Sequence, residues 1–283
     1  MALVLSLIAC KERTDALPVI AVSVEPQRFL LEQLAGSHFK VITLMKPGSN
    51  PETFEPTMNT RAALDGAGAY LYVGGLPFEN TLVESSPGLM TFCVAEGIEP
   101  LYGTHSPHDH DGGCEAHTHG SRNDESDPHV WTSVKNAMVM ADNMADVLVR
   151  IDPAHSEEYR TRLEKLHQRL DSLDTAIASR LEKAGKTSFM VWHPSLGYFA
   201  RDYGLEQISV GWEAKEPSAA ALRRAVDKAR ENGVDVFFYQ REFDSRQTQA
   251  LTSQLGLHTV TIDPLSYDWF DQMNLITDEL VRK

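Results

Sequence analysis

The chain has few cysteines, no long apolar run and a deficit of positive charge. Three cysteines in 283 residues, at positions 10, 93 and 114, are too few for the disulfide framework of a small secreted scaffold. No 18 consecutive residues are apolar, so no segment reads as a transmembrane helix. Lys and Arg number 26 against 40 Asp and Glu, a formal net charge of −14, which argues against a nucleic-acid partner and suits a protein that works among cations. The H-E-x-x-H pattern of zinc proteases and the G-x-S-x-G elbow of serine hydrolases are both missing, so neither hydrolytic chemistry has its usual signature. No internal repeat is visible. With 42% hydrophobic and 23% charged residues, the composition is that of a globular protein.

The first ten residues, MALVLSLIAC, form a short apolar run ending in Leu7-Ile8-Ala9-Cys10. A small residue before cysteine, after such a run, looks like a bacterial lipobox, with lipid attached at Cys10 after cleavage. The expectation is an exported, extracytoplasmic protein (periplasmic or at the cell surface), lipid-anchored to a membrane, with residues 1–10 as its signal segment. Cys93 lies in an apolar run and reads as a small buried hydrophobe. Cys114 stands among histidines and is a possible soft ligand. A Cys93–Cys114 disulfide has nothing in the sequence to favour it.

Beyond Cys10, short β-rich runs alternate with helical ones. Residues 18–24, 39–45, 69–75 and 89–95 read as strands, with helices expected over 26–36 and 60–67. A helix over 133–152 follows a stretch, 97–128, without periodic pattern. From Pro153 to Ala184 there is no glycine and no further proline. Leu163, Leu166, Leu170, Leu173, Ile177 and Leu181 recur there at spacings of three and four, one stripe of a long helix. Strands are expected again at 188–192, 205–210, 234–240 and 257–263. This order predicts an α/β protein of two Rossmann-like (βα)4 lobes joined by one long helix. The expected divisions are an N-terminal lobe over 17–150, a linking helix over 153–184 and a C-terminal lobe over 186–283. A helical connection predicts limited hinge bending.

Polar residues just past strand ends are the first candidates for a site in such a fold, because ligands bind beyond the carboxyl ends of the strands. His193, in WHPSLGYF, follows a strand directly. His129, in SDPHVWTS, sits between Pro128 and the start of a helix. The turn KPGSNPETFEPT, stiffened by Pro47, Pro51 and Pro56, carries Glu52 and Glu55 after the second strand. Asp263 and Asp268 follow the last strand. Two imidazoles with one or two carboxylates in a cleft between the lobes suit Zn²⁺, with Mn²⁺ or Fe²⁺ less favoured as the nitrogen share rises.

The stretch 104–131 holds six of the chain's eleven histidines. Five of them (His105, His108, His110, His117 and His119) lie among Asp109, Asp111 and Glu115 with Gly112 and Gly113 between, a pliant tract at 104–120 suited to loose metal binding. The sixth, His129, belongs to the stiff DPHVW segment.

The proline-rich turn PGSNPETFEPT, the DPHVW and HPSLGYFARDYGL segments, the long helix and the histidine-rich insertion before DPHVW together resemble the cluster A-I zinc-binding solute-binding proteins, the extracytoplasmic components of zinc ABC importers. The resemblance covers nearly all of residues 18–283. It implies Zn²⁺ as the bound ion, a membrane permease as partner and a monomeric binding protein, not an enzyme. By motif it implies His129 and His193 as ligands. Where the family carries a histidine in the proline-rich turn, this chain has Glu52. The fourth position, an acidic residue of the last loop, corresponds to Asp268 or Asp263, and some members use water there. The competing expectations are a Mn²⁺ or Fe²⁺ protein of the same family and a zinc-dependent hydrolase with Glu55 or Glu242 as base. Host-surface adhesion leaves no readable mark.

Overall fold

A computed structural model describes residues 17–102, 126–210, 219–243 and 256–282. Two four-stranded parallel sheets organise it. The first has the order β2-β1-β3-β4, from β1 (Val19–Val22), β2 (Lys40–Thr43), β3 (Ala69–Tyr72) and β4 (Met90–Cys93). The second has the order β6-β5-β7-β8, from β5 (Ser188–Val191), β6 (Glu206–Ser209), β7 (Val236–Gln240) and β8 (His258–Ile262). The two orders are the same wiring repeated, although the sequence shows no repeat. In each, the chain reverses its direction of strand addition between the first and third strands, which places a switch point between β1 and β3 and another between β5 and β7. All eight strands lie within the expected runs and are shorter than they are.

The helices follow local signals. Helix α1 (Glu25–Ala35) has Pro26 in its first turn, where a missing N–H costs nothing, and ends at Gly36 with φ +58°. That glycine is needed twice over. A Cβ there would meet the Arg162 guanidinium at 2.5 Å, and Arg162 Nη1 donates to the terminal carbonyls of Leu34 and Ala35 at 3.2 and 3.1 Å. Helix α2 (Met58–Asp65) is capped by Thr57, whose hydroxyl accepts from Thr60 N. Helix α3 (Pro77–Glu84) is absent from the sequence expectations, although Pro77 at its first position is a start signal. Helix α4 (Val134–Ile151) is capped by Ser133.

The long helix α5 runs Ser156–Ala184, 29 residues and about 44 Å. It begins three residues later than expected, because Pro153–His155 form a 3₁₀ turn. The Asp152 carboxylate, placed to cap a helix that began at Pro153, instead accepts from the Tyr159 hydroxyl at 2.5 Å and pairs with His155 Nδ1 at 2.6 Å. Gly185, with φ +64°, closes the helix and donates to the carbonyls of Leu181 and Glu182. Of the expected stripe, Leu166, Leu170, Leu173, Ile177 and Leu181 are buried and Leu163 is partly so. Among the described residues the remaining α-helices are α6 (Gly197–Tyr203), α7 (Ala219–Glu231) and α8 (Trp269–Leu280). No described helix is long and apolar enough to cross a membrane.

Helix α5 packs on α1 and α4 from the first half of the chain and on α8 from the second. One continuous apolar core follows from this, running through both sheets from Ile20 and Leu71 to Phe189, Val191 and Phe238. The other face of the second sheet has its own core, with Met190, Trp192, Ile208 and Phe237 under α7. Adjacent residues of β5 therefore serve two different cores, as the strand period of two requires. Cys93 is half-buried rather than fully enclosed, and its thiol donates to the Val73 carbonyl at 3.2 Å. Cys10 and the signal segment, Cys114 and the five histidines of 104–120 lie outside the described residues.

Candidate metal centre

Glu52, His129 and His193 each offer one ligand atom, and the three atoms lie within 4.8 Å of one another. Each is carried by a segment that leaves the carboxyl end of a strand, and the route by which it gets there differs.

Glu52 stands in the turn after β2. The Asn50 side chain accepts from Glu52 N at 2.8 Å, and Asn50 O accepts from Thr53 N at 3.3 Å, a compact Asx-type bend. Pro51 is buried, and Phe54 meets the Phe78 ring of α3 edge-on at 5.0 Å. With the turn fixed on both sides, Glu52 points inward and Glu55 is exposed. The fixed turn thus brings Glu52, and not Glu55, into the group.

His129 is held by its neighbour two residues earlier. One oxygen of Asp127, Oδ1, accepts from the His129 backbone N at 2.9 Å and pairs with ring Nδ1 at 2.8 Å. A carboxylate only accepts, so the proton is on Nδ1 and the lone pair on Nε2 faces the site. Asp127 is itself buried and fixed through its backbone, donating N to Leu101 O at 2.8 Å and accepting the Tyr198 hydroxyl on its carbonyl at 2.9 Å. Pro128 presses against Gly75, where a Cβ would come within 3.2 Å. The Gly74–Gly75 loop is tied down by the buried carboxylate of Glu79, which accepts from the backbone N of Val73, Gly74 and Leu76. Two indoles join this corner to the second half of the chain: Trp131 Nε1 donates to Pro264 O at 3.0 Å and Trp269 Nε1 to Trp131 O at 2.7 Å.

His193 leaves β5 at the switch point of the second sheet. The buried Gln240, at the end of β7, grips its peptide: Oε1 accepts from His193 N at 3.2 Å and Nε2 donates to His193 O and to Ser195 Oγ. The ring lies 5.1 Å from Phe243 and 5.2 Å from the His129 ring. Burial is the main cause that holds the His193 imidazole below its ordinary pKa, so the ring stays neutral and able to ligate at mildly acid pH.

Distances within the group fit an ion. Glu52 Oε1 is 3.2 Å from His193 Nε2 and 3.8 Å from His129 Nε2. Bonds of about 2.0–2.1 Å at tetrahedral angles put neighbouring donors about 3.3–3.5 Å apart, so a zinc ion needs only small adjustments. Among the described residues, two imidazoles and one carboxylate supply three donors, one fewer than a tetrahedral ion takes. The histidine side chains are 3% and 4% exposed and that of Glu52 is 19%, so the carboxylate is the member facing solvent.

Neither Asp268 nor Asp263 belongs to this group. Asp268 is exposed at the start of α8. Asp263 is turned to its own loop, accepting from Leu265 N at 3.2 Å and standing 3.5 Å from Arg241 Nη1. The sequence reading did not find Asp127, Gln240 or Glu79. For Asp127 a signal existed, an acid two residues before a ligating histidine, but for Gln240 none did, since strand pairing alone brings it to His193.

Comparison with known proteins agrees with this architecture. The profile of the ZnuA family, described as "Zinc-uptake complex component A periplasmic", matches residues 20–283. The zinc-binding lipoprotein AdcA of Streptococcus pneumoniae is 27% identical over 276 residues, covering 92% of this chain, which in turn spans only 53% of that relative's length. A crystal structure of ZnuA superposes with a TM-score of 0.81 at 28% identity, covering 94% of this chain and 98% of that one. A ZnuA deletion mutant with zinc bound superposes with a TM-score of 0.80 at 29% identity, covering 94% and 97%. With its family profile matched from β1 to the carboxyl terminus, and its paired sheets those of ZnuA, the chain belongs to the ZnuA family of periplasmic zinc-uptake components.

Proposed function

We propose that this chain captures Zn²⁺ outside the cytoplasm between its two sheets and delivers it to an ABC-type membrane permease. Glu52, His129 and His193 are the protein ligands, water completes the shell, and Cys10 carries a lipid tether. The observation that carries this reading is the convergence within 4.8 Å of three ligand atoms from three separate segments, with one imidazole already oriented by a buried carboxylate. Among the protein donors nitrogen outnumbers oxygen two to one, which favours Zn²⁺ over Mn²⁺. The zinc-bound family structure supports the same ion.

Capture and release have different requirements, and the geometry serves both. The histidines are buried and fixed, so little ordering cost is paid when the ion arrives. Glu52, on a turn and partly exposed, is the ligand whose movement opens a path to solvent or to a permease. Isothermal titration of the full chain with Zn²⁺ and with Mn²⁺ tests the assignment. His129→Ala and His193→Ala should each abolish the tight zinc equivalent, and Glu52→Ala should weaken it with a smaller loss. Retained tight binding in both histidine variants overturns the site. Tighter binding of Mn²⁺ than Zn²⁺ overturns the choice of ion.

A further inference from the structure

A second set of ligand-bearing side chains lies at the other end of the first sheet, by the amino ends of β1 and β3. His38, in the turn between α1 and β2, His155, in the 3₁₀ turn before α5, and Glu158, in the first turn of α5, offer ligand atoms all within 4.8 Å of one another. His38 Nε2 stands 3.0 Å from Glu158 Oε2. The two imidazoles stack at 3.9 Å between centroids, 25° from parallel.

Supporting bonds set the tautomer of one ring and the place of the others. Asp152 Oδ2 pairs with His155 Nδ1 at 2.6 Å and is fixed in turn by the hydroxyl of the buried Tyr159 at 2.5 Å. A carboxylate on Nδ1 leaves the Nε2 lone pair for a ligand, the arrangement also found at Asp127 and His129. Tyr159 meets the His38 ring edge-on at 5.7 Å. Glu158 also takes Arg162 Nη2 at 3.1 Å, and Arg162 is anchored on the last carbonyls of α1. With neutral imidazoles, two carboxylates outweigh one guanidinium, so the cluster is negative and attracts a cation. His38, Asp152 and His155 form the polar wall of a cavity of about 430 Å³, through which an ion and its water can enter.

We propose that His38, His155 and Glu158 bind a second divalent transition-metal ion, Zn²⁺ by their donor set, remote from Glu52. The side chains of His155 and Glu158 are 41% and 52% exposed, against 3% and 4% for His129 and His193. The second ion therefore binds more weakly and exchanges faster. Bound there, it links the turn that feeds β2 to the start of the long helix.

The test uses the full chain and Zn²⁺ alone. Zinc-edge anomalous diffraction from zinc-soaked crystals should show a peak among His38, His155 and Glu158 as well as one at Glu52. In equilibrium dialysis, the double variant His38→Gln/His155→Gln should lose one weaker zinc equivalent and keep the tight one. Glu158→Gln, whose partly exposed side chain can change without unfolding the chain, should lose the same equivalent and decides the matter if the double variant misfolds. An unchanged number of equivalents in Glu158→Gln, or density at Glu52 with none at His38, overturns the proposal. Loss of the tight equivalent in His129→Ala with the weaker one retained separates this site from the first.

Discussion

Asp127 decides how His129 presents its ring, and it does so with one oxygen bonded to both the backbone and Nδ1 of the same residue. An amide in its place can still accept on one atom, but it offers no charge to raise the basicity of the imidazole. Asp127→Asn should therefore lower zinc affinity by about 10–100-fold with the fold retained, as titration calorimetry beside a thermal melt of the metal-free chain would show. Affinity unchanged within threefold would mean that the ring needs no such support. His193 adds a pH dependence with a definite sign. Its pKa is lowered from 6.5 in the folded chain by burial, so the unfolded chain takes up the proton more readily. Stability of the metal-free protein from this residue is complete above pH 6.5 and declines as pH falls below that value toward the lowered pKa. Melting temperature measured from pH 7.5 to 5 should fall, and His193→Gln should flatten the slope. An unchanged slope in that variant would assign the pH dependence to another group.

At the scale of elements, α5 is the member on which both halves rest. Leu170 is fully buried midway along its stripe, in the core shared by both sheets. Leu170→Ala removes apolar burial and leaves a cavity, and should cost about 2–5 kcal/mol in a denaturant titration. A loss below 1 kcal/mol would show that the stripe can collapse around the gap. The periodic leucines were legible in the sequence because a 3.6-residue repeat is a one-dimensional signal. The start of the helix was not, because Asp152 had two competing uses. Its carboxylate bonds Tyr159 and His155 rather than capping the helix, which leaves Pro153–His155 as a 3₁₀ turn. Helix α3 escaped because its eight residues, Pro77–Glu84, are too few to show a period.

At the scale of the molecule, the two sheets are coupled more tightly than a pair of lobes on strands would be. The indoles of Trp131 and Trp269 donate in opposite directions across the junction. Phe29 of α1 packs on Trp269 and Phe270 of α8, and the Tyr267 hydroxyl reaches Glu32 at 2.6 Å. A large hinge rotation would break these contacts and open the continuous core. Small-angle X-ray scattering should therefore show nearly the same radius of gyration with and without Zn²⁺. A compaction on the scale of a domain closure would contradict the rigid linkage.

The sequence by itself determined the α/β class, the two sets of strands and the long helix with its buried face, and it offered Glu52, His129 and His193 as candidate ligands. The elements and the histidines follow from periodicity, from proline and glycine positions and from the rule that ligands gather past strand ends, all of which act along the chain, whereas Glu52 was preferred to Glu55 only through the family resemblance. It left two acids, Asp263 and Asp268, as possible partners. Only the tertiary structure shows that both lie outside the candidate group, one drawn to its own loop and to Arg241 and the other exposed at the start of α8. The same holds for Gln240 at His193 and for the cluster of His38, His155 and Glu158, whose members come from separate segments. Such groupings depend on which strands pair and how helices pack, and contacts between residues far apart in sequence leave no pattern in it.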